Sequence, residues 1–133
     1  MIMKTMRLLI TGSAVIFLST ALVAQQKPWV VPANFKSMKN PVATSETSIK
    51  AGQATFAKTC AACHGKAGLG NGPKAPALKT KPTDFSTAEF QGQTDGDHFY
   101  ETKTGRGDMP KYEGKLSDED IWNLVNYMRT FKK

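Results

Sequence analysis

Cys60 and Cys63 are the only cysteines in the chain, and His64 follows the second directly, in the run Thr-Cys-Ala-Ala-Cys-His-Gly. No other feature constrains the fold as much, because whatever these three side chains hold must be approached by all of them at once. On a helix, at about 100° per residue, Cys63 lies ~60° to one side of Cys60 and His64 ~40° to the other. Both sulfurs and the imidazole then face one object from one side. A flat group with two attachment points and a central metal suits that arrangement.

Several chemistries use two thiols at this spacing. A disulfide between Cys60 and Cys63 would fit an exported chain with an even cysteine count. A redox-active C-x-x-C expects a βαβ setting, and no β-alternation of useful length occurs in the sequence. A structural zinc site needs four ligands, and beyond the motif there is one further histidine, His98, and no cysteine. C-x-x-C-H is also the attachment signature of c-type haem, in which the thiols become thioethers and the histidine becomes an iron ligand. With three fixed residues in five, the motif alone does not close the choice.

The chain has 133 residues, and the first of them read as a leader. Lys4 and Arg7 precede an apolar run from Leu8 to Ala24, and a polar stretch ends it. That is the layout of a secretory signal peptide, expected over residues 1–24, although cleavage after Ala21 would place the small Ser19 at −3. An uncleaved anchor is the alternative, and the run is short for a span of ~20 residues. Residues 25–46 read as an extended segment interrupted by Pro28, Pro32 and Pro41, with Trp29, Val30, Val31 and Phe35 available to dock. The remainder, 47–133, reads as one domain.

Within that domain the spacing predicts an all-α fold. A helix capped by Ser45 or Thr47 is expected to run through the motif, with Ile49, Gly52, Phe56 and Cys60 near one face. A Gly-, Pro- and Lys-rich loop spans Gly65 to Pro82, and a short helix is expected over Thr94–Thr102. A second loop then leads to Ser117. Ser117 with Asp120 makes a capping box, and Ile121, Leu124, Val125 and Met128 form an apolar stripe behind it.

From the motif onward the sequence resembles the class I c-type cytochromes, over roughly Ser48 to Phe131. "GQATFAKTCAACHG" is similar to the family's N-terminal helix, with Gly52 and Phe56 where it meets the C-terminal helix. "LSDEDIWNLVNYMRTF" resembles that C-terminal helix, with Leu124 and Tyr127 at the packing positions. "APAL" and "GRGDMP" resemble the two remaining family features. The run "CHGKAGLGNGP" is closer to small bacterial members, including oxidase- and dehydrogenase-associated ones. The resemblance implies a cytochrome c fold: crossing terminal helices, with shorter helices and loops wrapped around one covalent haem c. It implies Cys60 and Cys63 as attachment points, His64 as proximal ligand, the Pro76 carbonyl as acceptor for the other nitrogen of His64, and Met109 as the second iron ligand.

The residues themselves support parts of this. Of six methionines, Met1, Met3 and Met6 are in the leader, Met38 is in the extended segment and Met128 is on a helix stripe. Met109 stands in a loop among Asp, Lys and Gly, where it has no core role, and Gly105 and Gly107 let that loop bend. His98 is the rival ligand, although a histidine in so polar a run is expected to be solvated. Gly52 inside a helix costs ~1 kcal/mol relative to alanine, which a close helix crossing would justify. Trp122 and Phe131 suit either the core or a cofactor wall.

Function classes narrow accordingly. The chain has 18 basic and 11 acidic residues, a net charge of +7. The basic excess does not gather with aromatics on one face, so nucleic acid is not an expected partner. The resemblance implies a periplasmic carrier of single electrons between respiratory or dehydrogenase partners, and not an enzyme. The alternative is a subunit docked permanently on a membrane complex or dehydrogenase, with the basic segment 25–46 as its arm. A haem enzyme or gas sensor would need a vacant sixth iron position. Redox proteins (an oxidase, reductase or dehydrogenase) are the expected partners. Membrane contact is expected only through a retained leader or such a partner.

Overall fold

The computed structural model describes residues 27–133, so the expected leader lies outside the described residues. Six helices are described: α1 (Ala33–Lys36), α2 (Glu46–Thr59), α3 (Ala61–His64), α4 (Ala88–Gly92), α5 (Asp95–Thr104) and α6 (Asp118–Arg129). A 3-10 turn at Ala75–Ala77 lies between α3 and α4. Among the described residues there is no strand, only two isolated bridges, Arg106 with Met109 and Glu113 with Leu116.

Each longer helix starts on a side-chain cap. Ser45 accepts from the Ser48 amide at 3.1 Å, Thr94 from Asp97 at 3.1 Å, and Ser117 from Asp120 at 3.1 Å. In each case the third residue returns a side-chain bond to the cap's own amide. Such reciprocal caps satisfy two of the donors that a helix start leaves unpaired. Asp118, Glu119 and Asp120 in the first turn of α6 and Arg129 in its last turn also suit the helix dipole.

The frame of the molecule is the crossing of α2 and α6. The fully buried residues of α2 are Ser48, Gly52 and Phe56, spaced four apart. Ser48 takes the place expected of Ile49 because its hydroxyl accepts from Asn126 Nδ2 at 3.1 Å on α6. At Gly52 the helices touch backbone to backbone. A Cβ there would stand 2.1 Å from the Asn123 carbonyl oxygen and 2.8 Å from Tyr127 Cβ. Phe56 packs edge-on to Tyr127 with ring centroids 5.3 Å apart. Ile121, Leu124 and Val125 of α6 are buried to 1% exposure or less. Each such residue contributes roughly 1.5–3 kcal/mol.

Trp122 is buried and stacks on Phe99 of α5 at 4.1 Å. Phe131 packs on Phe56 and Tyr127. Trp122 is a core residue, and Phe131 is partly buried against that core.

The segment before α2 is folded onto the domain rather than merely extended. Phe35 of α1 packs against Tyr100 of α5 at 5.0 Å, over Gly96, whose Cβ would meet the Phe35 carbonyl at 1.9 Å. Trp29 lies under the Arg106 guanidinium, 4.2 Å from the ring centroid, while Arg106 Nη1 donates to the Lys27 carbonyl at 2.8 Å. Asn40, the Val42 carbonyl and Thr44 all bond to the Asn126 side chain. Val30, by contrast, is 89% exposed.

The crossing yields a direct test. Gly52→Val should destabilise the holoprotein by about 3 kcal/mol, because the clash is with backbone that cannot swing aside. Gly52→Ala should fall short of Gly52→Val in the same direction. Equilibrium guanidinium unfolding measures both, and a Gly52→Val midpoint equal to the parent's would refute the close crossing.

Candidate haem site

The helix that carries the motif is not continuous. α2 ends at Thr59, Cys60 has φ −115°, and α3 restarts for four residues. The break turns Ala61–His64 off the axis of α2. Gly65 then ends α3 with φ +77°, a conformation glycine adopts without strain. The following loop folds back onto the motif: Gly70 donates to the His64 carbonyl at 2.9 Å, Gly72 to Cys63 at 3.0 Å and Lys74 to Ala62 at 2.8 Å. Three carbonyls at the helix end, otherwise unpaired, are thereby satisfied.

Beside α3 lies a cleft of about 530 Å³, counting the solvent at its mouth. Cys60 and His64 line one part of it, and Met109 and Tyr112 from the second loop line another. Apolar walls come from Phe85, Phe90, Leu124 and Met128, and polar atoms from His98, Glu101 and Thr102. Trp29 of the N-terminal segment also lines it. Cys63 is half-buried in α3 and does not line the cleft, and the two cysteines are free thiols.

His64 is largely enclosed, and burial pulls its pKa below the ordinary value, opposed by a hydrogen bond to backbone. The neutral imidazole is the form that binds a metal. Its Nδ1 lies 3.2 Å from the Thr83 carbonyl oxygen. The acceptor implied by the family resemblance was the Pro76 carbonyl, and here the structure differs. Pro76 sits exposed in the 3-10 turn, whereas the chain returns to His64 at Thr83, where Phe85 stacks on the imidazole at 4.5 Å. Phe85 in turn donates its amide to Gly68 at 2.7 Å, which pins this return. Burial raises the Cys60 thiol, partly countered by a hydrogen bond with Thr59.

Met109 closes a tight turn. Arg106 and Met109 exchange both backbone bonds at 3.0 Å, and Gly105 and Gly107 have φ of +65° and +59°, as the bending of this loop requires. Asp108 accepts from the amides of Lys79 at 2.7 Å and Thr80 at 3.3 Å, so the two loops are tied to each other. Tyr112 donates from its hydroxyl to the Thr59 carbonyl at 2.8 Å, and burial lifts its pKa to about 12. The methionine loop is thereby fastened to the end of α2, immediately before Cys60.

Two of the three polar residues that α5 brings to the cleft are ionisable. Glu101 is held by Gln93 Nε2 at 2.7 Å, and burial raises its carboxyl to about 7. His98 is 1% exposed, contrary to the expectation that it is solvated. It stacks on Phe90 at 4.0 Å, and neither ring nitrogen makes a hydrogen bond of good geometry, the Phe90 backbone offering only a weak one. A buried polar group without a partner costs about 1–3 kcal/mol.

These residues fit a haem. The cleft offers the neutral imidazole of His64, the thioether of Met109, a thiol on its wall with a second thiol one helical turn away, apolar faces that include Met128, and the unsatisfied His98 at depth. The bond partners were the part that sequence reasoning missed: Thr83, Tyr112, Trp29 and Glu101 carry no motif. Only Trp29 had a signal, as a large apolar residue in a segment rich in proline.

The family model described as cytochrome c oxidase, cbb3-type, subunit III matches residues 47–128. A cytochrome c6 of Picosynechococcus sp. is 39% identical over 84 residues, covering 59% of this chain and 68% of its own. A cytochrome c6 of Pyropia tenera is 38% identical over 77 residues, covering 58% of this chain and 85% of its own. Among solved structures, a chain of the reducing HAO-like protein complex of Kuenenia stuttgartiensis is similar with a TM-score of 0.65 and 29% identity. That likeness covers 72% of this chain, which spans only half of the Kuenenia chain. The KustC0563 c-type cytochrome is similar with a TM-score of 0.53 and 28% identity, covering 62% of this chain and 98% of its own. The all-α cytochrome c fold, a single covalent c-type haem and the role of electron carrier rather than enzyme follow from these likenesses. The chain belongs to the family described as cbb3-type cytochrome c oxidase subunit III, as a small class I monohaem c-type cytochrome.

Proposed function

We propose that the protein is an exported, periplasmic carrier of single electrons, its haem held by Cys60 and Cys63 as thioethers and its iron by His64 and Met109. One observation carries this reading: Cys60 and His64 of the motif and Met109 of a loop distant in sequence all line a single apolar cleft. Haem supplies a metal that changes charge by one electron. The chain supplies fixed ligands and a wall that excludes water. Thr83 orients His64 through Nδ1, which leaves Nε2 for the metal. The turn at Arg106–Met109 and the Tyr112 bond to Thr59 keep the sulfur at a constant distance from the motif. A soft thioether ligand favours the reduced iron and raises the potential. The leader over residues 1–24 supports export.

A second reading, a subunit docked permanently on a larger complex, is favoured by the description of the Kuenenia chain as part of a protein complex. The arm considered for such docking is engaged elsewhere, since Trp29 and Phe35 are committed to this domain.

Haem attached as proposed adds one haem to the intact mass of the exported protein and resists acid-acetone extraction. Extractable haem after expression with a working maturation system would refute the attachment. With Met109 as ligand, the oxidised protein shows the weak long-wavelength sulfur-to-iron band. Met109→Ala should abolish that band and lower the potential, while persistence of the band would point to another methionine.

Docking is expected to use the loop between His64 and Thr83, which has four exposed lysines, Lys66, Lys74, Lys79 and Lys81, and no acid. Residues 84–113 hold seven acids against three bases, a net −4. Electrostatic steering acts on the association rate and is screened over ~10 Å at 0.1 M salt. Changing Lys74, Lys79 and Lys81 to Glu should slow electron transfer to the native redox partner severalfold at low salt and much less at high salt. Stopped-flow rates across ionic strength measure this, and indifference to the triple change would sink the idea.

A further inference from the structure

His98 is a buried polar side chain to which neither family nor motif gives a role. It lies one turn before Glu101 and Thr102 on α5, and all three line the cleft. Glu101 is occupied by Gln93. Asp97, next to His98, is occupied by the cap of α5, accepting from the Thr94 amide. Asp95 is paired with Arg129 through Nε at 2.9 Å and Nη2 at 2.7 Å, and Arg129 also donates to the Gln91 and Gln93 carbonyls. None of these groups makes a hydrogen bond to the imidazole, although Asp95 and Asp97 act on it by charge. Burial foremost, and Arg129 after it, hold His98 neutral, with its pKa lowered to about 4. A neutral imidazole keeps one N–H to donate.

The position of His98 indicates what it can meet. His64, Phe85, Phe90 and His98 form a row of stacked rings with successive centroids 4.5, 4.5 and 4.0 Å apart. His64, with its adjoining cysteines, is at one end of the row and His98 at the other. A c-type haem is fixed at its thioether edge, and its two carboxylates are on the opposite edge.

We propose that the His98 imidazole N–H donates a hydrogen bond to a haem carboxylate, which makes His98 the residue that seats the free edge of the cofactor. The inference rests on the haem reading above and adds a positioning residue to it. A carboxylate that accepts an N–H bond is held in its ionised form. Without that donor its pKa rises, and the potential then varies with pH in a higher range.

The test uses the holoprotein. In the reduced protein with ¹⁵N-labelled histidine, the His98 N–H is expected to exchange slowly with solvent and to show Overhauser contacts with the methylene protons of a haem carboxylate chain. A His98 N–H whose contacts are with a bound water alone would overturn the proposal. His98→Leu is expected to shift the pH-dependent range of the reduction potential upward, and His98→Gln, which keeps an N–H, to bring it back. The same pH profile in parent and His98→Leu would overturn the proposal. So would loss of six-coordinate iron in His98→Leu, which would make His98 an iron ligand. The NMR arm stands even where a variant fails to mature. Failure of haem attachment itself would show in the parent protein as extractable haem.

Discussion

Everything at the site depends on how closely α2 approaches α6 at Gly52. α2 delivers Cys60 at its end, and α6 supplies Leu124 and Met128 to the wall of the same cleft. The distance between the motif and that wall is set two turns earlier, where the Asn123 carbonyl occupies the place of a side chain on Gly52. Widening the crossing by one methyl group would swing the motif away from the wall. The ~1 kcal/mol that glycine costs inside a helix is therefore a price for position.

The loops have no sheet to hold them and are fastened one bond at a time. Tyr112 reaches the end of α2, Asp108 takes two amides of the lysine loop, and Arg106 binds the carbonyls of Lys27 and Pro28 while covering Trp29. Asp108 and Arg106 belong to the same short turn as Met109. The turn that presents the sulfur is thus braced from the lysine loop and from the N-terminal segment. Such bracing suits a small domain, whose limited core cannot fix long loops by burial alone. A cofactor enclosed among these loops becomes part of the core.

How far the sequence disclosed this varies with the kind of interaction. α6 was legible because Ser117, Asp120 and the stripe from Ile121 to Met128 are local signals that agree with each other. α5 was legible only as a short helix over Thr94–Thr102, and its reciprocal cap between Thr94 and Asp97 was not read. The motif and Met109 could be singled out because their chemistry restricts the residue types, and Cys60, His64 and Met109 do line one cleft. The break at Cys60 was not legible, since nothing in "AKTCAACH" stops a helix, and the returning loop is what stabilises the turn. Thr83 was hidden because a backbone carbonyl leaves no trace in residue identity. His98 was misjudged from its polar neighbours: Asp97 next to it is consumed by a cap, and the helix turns His98 itself inward. Asn126 carried no signal in the sequence, yet Asn40, Val42, Thr44 and Ser48 all bond to its side chain.

The buried groups of the cleft share one electrostatic property. Burial lowers the pKa of His64 and brings His98 to about 4, so both are neutral at physiological pH. Glu101, raised to about 7, is protonated below neutrality. A cleft with so few fixed charges gives little compensation to a positive charge placed in it, and in a low-dielectric interior that deficit weighs more than in water. Of two redox states differing by one positive charge, such a cleft favours the less charged, reduced one. Glu101 is the exception that depends on pH: once ionised it favours the oxidised state. Its pKa is raised in the fold, so its protonated form is favoured there, and its contribution to stability is lost as pH rises from the ordinary carboxyl range towards 7. The same burial that encloses the electron carrier thus favours its reduced state, and ionisation of Glu101 near neutral pH weakens that preference.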